Sequence, residues 1–108
     1  MRFMDEPYQY GEDGSFVPMK TTPFDNCPVD YNWDKYLAES GWEEQASTHD
    51  SGMLNVKIYC HAQLGIYYFH LLFPTRTFMQ VFCKSTVAAL HFLQKHVIPL
   101  TAHCREIK

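Results

Sequence analysis

The stretch "KIYCHAQLGIYYFHLLF", residues 57–73, brings two histidines, three tyrosines and a cysteine together in a chain of 108 residues. Histidine changes charge near neutral pH, and a tyrosine hydroxyl can orient a bound group. Tyr59, His61, Tyr68 and His70 are therefore the candidate lining of a ligand pocket or an acid–base site. Cys83 is the candidate nucleophile, because a thiol near a helix opening can ionise more readily. Its plainer reading is a small buried apolar residue.

Other chemistry finds less support. Zinc sites draw paired ligands from short spacings such as Cys-x2-Cys or His-x3-His, and neither occurs here. His91 and His96 are five residues apart, which does not stack them on one helical face. The paired acids Glu43 and Glu44, and the neighbours His49 and Asp50, sit in ordinary loop sequence. Gly-rich phosphate loops, serine nucleophile elbows and dinucleotide fingerprints are absent. No cofactor, metal ligand or catalytic residue is assigned.

These residues need elements to position them. "MLNVKIYCH" alternates, with Leu54, Val56, Ile58 and Cys60 on one side and Asn55, Lys57, Tyr59 and His61 on the other. "AQLG" turns the chain into "GIYYFHLLF", a strand that is apolar on both faces. "PTRT" turns it again into "TFMQVFC". Such short connections join antiparallel neighbours. Ser85 then caps a helix that Pro99 stops. On a regular helical wheel, Thr86, Val87, Leu90, Leu93, Val97 and Ile98 share the side expected to face the sheet. Phe92 falls opposite, exposed with His91 and Lys95, as a candidate contact for a partner.

Upstream, "DYNWDKYLAESGW" reads as a short helix capped by Asp30 or Asn32 and ended at Gly41, with Trp42 folding back onto Leu37. "EEQASTHDSG" reads as an exposed loop. Residues 1–28 are rich in Gly and Pro yet carry too many aromatics for a loose tail. They read as an ordered arm, with a short strand near Ser15–Lys20.

The expected fold is a single α+β domain over residues 1–108. It comprises an arm (1–28), a short helix (30–41), an antiparallel meander (53–83) and a helix (85–98) packed across it. The sheet is expected to have three strands, or four if the arm contributes one. One helix covers only one face, and the other would show Tyr59, His61, Tyr68 and His70. That face needs cover from the arm, a second subunit or a ligand.

Aromatic residues make up 16% of the chain, more than one thin core readily hides. Net charge is -3, with the acids concentrated in the first half and most of the bases in the second. No apolar run is long enough to span a membrane, and the N-terminus lacks the apolar core of a signal peptide. The reading is cytoplasmic, with Cys27, Cys60, Cys83 and Cys104 as reduced thiols. Dispersed bases argue against nucleic-acid binding.

The function these features favour is a non-enzymatic binding protein, self-associating as a homodimer or higher oligomer through its aromatic sheet face. Tyr59, His61, Tyr68, His70 and Phe92 are the expected contact residues. The alternatives are a small-ligand or enzymatic domain using a Tyr/His-lined pocket, and an acidic inhibitor that occupies a basic surface.

Overall fold

The computed structural model describes residues 7–24, 33–47, 54–73 and 76–100. The chain order is β1 (Pro7–Tyr10), β2 (Phe16–Pro18), α1 (Trp33–Glu39), β3 (Trp42–Ser47), β4 (Asn55–His61), β5 (Ile66–Phe73), β6 (Arg76–Cys83) and α2 (Thr86–Phe92). A π-helical turn, Leu93–Val97, continues α2, and residues 98–100 return to α-helix. The expected cap at Asp30 or Asn32, the loop with His49 and Asp50, the turn at 74–75, and Cys27 and Cys104 lie outside the described residues.

The α+β class and the packed C-terminal helix match the sequence reading, but the sheet is larger. It has six strands in the order β2-β1-β6-β5-β4-β3. The meander β4-β5-β6 is its antiparallel centre, with Tyr59 opposite Tyr68 and Tyr68 opposite Phe82. Two corrections follow. The arm supplies a hairpin, β1-β2, and β1 runs parallel to β6, so the sheet is mixed. Turn logic constrains only consecutive strands, and β1 reaches β6 across most of the chain.

The second correction is β3, expected as loop. Its "WEEQAS" has weak strand propensity and an exposed pattern after Trp42. It forms where the outer edge of β4 would otherwise leave its backbone groups unpaired. A register shift between Glu44 and Ala46 kinks it.

Each sheet face has its own core. On one, Val56, Phe69, Leu71, Val81 and Cys83 pack under Ala88, Ala89, Phe92 and Val97 of the C-terminal helix, with Tyr10 of the arm. On the other, Tyr59, Tyr68 and Phe82 pack under Phe24, Leu37 and Trp42. Of the side expected to face the sheet, Leu93 and Val97 do pack there, but the first turns are rotated so that Ala88, Ala89 and Phe92 face inward in place of Val87 and Leu90. Phe92 is 1% exposed, whereas Val87, Leu90 and Ile98 are 60%, 51% and 53% exposed.

The reason is volume and phase. Ala88 and Ala89 let the helix backbone approach the sheet closely, and Phe92 fills the space beside Tyr10 and Phe69, at ring distances of 5.0 and 4.9 Å. In the π turn the Ile98 N–H donates to the Leu93 carbonyl, five residues back. That wider turn undoes the drift of a four-residue repeat, so Ala88, Phe92, His96 and Leu100 keep to one side.

The helix start is held from the arm. Ser85 accepts from the Ala88 N–H at 3.1 Å and donates to Glu12 at 2.7 Å, tying the hairpin tip to the first turn. At the end of α1, Gly41 takes φ +95°, as the reading of a left-handed helix stop required.

Gly41 also has a steric reason to be glycine, because a Cβ there would stand 2.8 Å from His61 Nε2. Gly65 has φ +68° but open space around it. Gly41→Ala is expected to destabilise by about 2–3 kcal/mol, combining strain with the clash, and Gly65→Ala by about 1 kcal/mol from strain alone. Urea unfolding of the two variants, compared by midpoint at unchanged slope, checks the order.

Candidate functional site

The aromatic face begins with β4 and β5, whose alternation sends Tyr59, His61, Tyr68 and His70 to the same side. The structure does bring these four together on one face, stacked in part. Tyr59 and Tyr68 lie 5.9 Å apart at 24°, and Tyr68 and His70 lie 5.7 Å apart at 28°. Phe92, the fifth expected contact, is on the opposite face in the other core.

The cover over this face comes from the chain itself. Phe24, the last described residue of the arm, packs edge-on against Tyr68 at 4.8 Å and tilted against Trp42 and Phe82 at 5.3 and 5.4 Å. Leu37 of α1 and Met19 complete the cluster. Tyr68 is fully enclosed, and its hydroxyl donates to Gln80 Oε1 at 3.1 Å. Burial holds its phenol well above the ordinary tyrosine range.

His61 is buried and has both ring nitrogens engaged. The Leu64 N–H donates to Nδ1 at 3.2 Å, so the proton sits on Nε2, which donates to the Ser40 carbonyl at 2.9 Å. The ring thereby ties the β4–β5 turn to the α1–β3 junction and meets Trp42 edge-on at 5.3 Å. It is a neutral linking residue in this arrangement.

His70 stands further along the face, opposite Lys57 on β4 and Gln80 on β6. Burial, with a smaller contribution from Lys57, pushes its imidazole down to about 4. A base that weak is poorly matched to proton transfer near neutral pH. Cys83 is a free, buried thiol, and burial pushes it up to about 12. That supports the structural reading over the nucleophile. Among the described residues, no group of three or more His, Cys, Asp or Glu is placed to hold a metal. No helix among them is long and apolar enough to cross a membrane.

A different surface is left open. The C-terminal helix crosses only part of its sheet face, and beside it runs an apolar trough. One section, about 160 Å³, is lined by Ile58, Tyr67, Leu90 and Leu93 among others. The next, about 180 Å³, shares Ile58 and Leu93 and extends to Ala46 and Ile98. Val87, Leu90 and Ile98 stand above it as an exposed ridge. The sequence reading named these three residues but placed them inward. The signal that could have reversed it was the adjacent small pair Ala88-Ala89, which marks close helix–sheet contact.

The sheet edges are poorly suited to extension. Val17 pairs with Gln9, the Gly11 N–H donates to the Ser15 carbonyl, and the Met19 N–H donates to the Pro7 carbonyl. Antiparallel bonding alternates, so Phe16 and Pro18 turn their backbones outward, and Pro18 has no N–H to offer. The other edge, β3, carries Glu43 and Glu44 and the register shift, both of which oppose strand addition.

Comparison with protein-family models, with curated proteins and with solved structures finds no match. Geometry alone therefore carries the functional argument.

His70 gives this face a pH signature. Its folded-state affinity for a proton lies below that of an unfolded histidine, about 6.5. Its contribution is thus fully present above that value and is lost as pH falls from there toward 4. Between pH 8 and 5 the loss is about 2 kcal/mol. His70→Gln should flatten this limb of urea midpoint against pH by about that amount. An unchanged limb would assign the acid sensitivity elsewhere.

Proposed function

We propose that this chain is a non-enzymatic, cytoplasmic binding protein that self-associates, and that its contact surface is the ridge and trough of the C-terminal helix. The observation that carries this reading is the half-exposed apolar ridge of Val87, Leu90 and Ile98 above an apolar trough. A helix with apolar residues on two opposite sides has one more than a single sheet contact can bury. Here one side meets the sheet and the opposite side meets solvent.

Relative to the expectation from sequence, the self-association stays and the surface moves. The aromatic face is filled by Phe24, Leu37 and Trp42, and the polar tips of His61 and Tyr68 are engaged in internal hydrogen bonds. An enzymatic or ligand-binding use of that face would have to displace this core. The edges are blunted, and the helix ridge is an exposed apolar surface of the kind that suits a partner.

Leu90 is a ridge residue that also lines the trough, midway between Thr86 and Leu93. Sedimentation velocity of the untagged protein should show a dimer or higher species that dissociates on dilution. Leu90→Lys should weaken association at least tenfold, as truncated or charged anchors do at interface centres. Its far-UV circular dichroism should be unchanged, because the side chain is half exposed. A wild-type protein that stays monomeric at high concentration would overturn the reading.

A further inference from the structure

Among the described strands, β2 is the shortest, and all three of its residues are exposed. It is bonded on one side only, to β1. Two fixed points bracket it. Before it, the Glu12–Ser85 hydrogen bond ties the turn to the helix start. After it, Phe24 is packed into the aromatic core. Gly14, at φ +87°, stands between the first of these points and the strand, where a hinge residue would. What draws β2 down onto the helix is one ring. Phe16 lies 4.9 Å from Tyr10, 5.3 Å from His96 and 6.1 Å from Phe92.

His96, in the π turn, is therefore half-enclosed by aromatic rings, with Tyr10 and Phe92 at 5.4 and 5.5 Å completing the set. Phe16, Phe92 and His96 also line an apolar cavity of about 190 Å³ with Leu71, Met79 and Leu100. The described groups around this imidazole favour its neutral form. Leu71 of β5 and Met79 of β6 bring no charge, and Tyr10 of β1 is hydrogen-bonded to His91 Nδ1 at 3.2 Å. On its own helix the neighbours are the bases Lys95 and His91. The acids of the turn are engaged elsewhere. Glu12 accepts from Ser85, and Asp13, whose field reaches His91, accepts from the Ser15 hydroxyl and N–H. Burial, with repulsion from Lys95 and His91, lowers the affinity of His96 for a proton.

We propose that β2 is a proton-sensitive flap, and that protonation of His96 detaches Phe16 from the helix and opens the cavity beside Phe92. Lifting residues 15–18 lets water reach the imidazole, which solvates its charged form. β1 stays in place, because it pairs with β6 and its Tyr10 is buried. The sign follows from linkage. A histidine that binds a proton less well when covered holds its cover in place above the ordinary histidine value, about 6.5, and releases it as pH falls below. The cavity shares no lining residue with the trough, so the flap stands whether or not the chain self-associates.

Amide hydrogen exchange of the full-length protein, followed residue by residue by NMR and corrected for the intrinsic rate, tests it. The Gly11 and Met19 N–H groups report on β2, since they donate to the Ser15 and Pro7 carbonyls across the hairpin. Between about pH 7.5 and 5 their protection should fall about threefold or more, with the midpoint at which the His96 ring signals titrate. His96→Phe keeps a ring against Phe16 and takes no proton, so this fall should disappear. His96→Gln, a smaller neutral replacement, should lose it too, from a lower starting protection. The acid sensitivity that His70 gives the whole fold is common to all three proteins and cancels in the comparison. Amide shifts of β5 at their wild-type positions confirm folded variants. Wild-type protection that does not change with pH, or a fall that persists in both variants, overturns the flap.

Discussion

Strand β5 carries Tyr67, Phe69, Leu71 and Phe73 on one face and Ile66, Tyr68, His70 and Leu72 on the other, so water can be left against neither. Fully burying side chains of this size stabilises by about 2–3 kcal/mol each, and leaving one face bare would forfeit several such contributions. The chain answers with two layers of cover. One is the C-terminal helix. The other is assembled from pieces distant in sequence, namely Phe24 at the end of the hairpin segment, Leu37 of α1 and Trp42 at the start of β3. The positions of the arm and of α1 follow from that requirement, since neither is long enough to be stable alone.

Covering Tyr68 has polar consequences that the fold resolves locally. Its hydroxyl would be an unsatisfied donor in an apolar layer, and Gln80 on the neighbouring strand accepts it. His61 is held the same way, with a backbone donor on one nitrogen and a backbone acceptor on the other. The Ser40 carbonyl it engages is one of those freed at the end of α1, and Gly41 provides the close approach. The aromatic face is thus a polar-stitched core. Tyr68 serves there with one hydrogen-bonding tip on a large flat body, and His61 with a hydrogen bond at each ring nitrogen.

The central meander was legible because its alternation and its short connections are local properties. The Gly41 helix stop and the return of Trp42 toward Leu37 were legible for the same reason. What escaped were non-local choices. β1 runs parallel to β6 because the two are brought together from opposite ends of the described chain, which no turn rule addresses. β3 exists because β4 has an edge to satisfy, whatever "EEQAS" prefers by itself. The helix face was misread because apolar residues lie on two sides of the helix, so a wheel offers two solutions. Side-chain volume decides between them. Alanine fits where the helix touches the sheet, and Phe92 fits beside it where the arm leaves room for a ring. The four aromatic-face residues were grouped correctly by strand alternation, but whether they lined a pocket depended on Phe24, more than thirty residues away.

The same misread helix changes which apolar residues face outward. An inward Leu90 would have made the helix a conventional amphipathic cover and left Phe92 as an isolated exposed ring. With Phe92 inside, the outward residues form a continuous ridge, and the sheet beside it is wider than one helix can roof. The two edges carry devices that resist strand addition, a proline with no donor at one and paired acids with a register shift at the other. The helix ridge of Val87, Leu90, Gln94 and Ile98 carries no charge. With the edges guarded and the ridge apolar, the ridge and the trough beside it are what support the proposed contact through the helix.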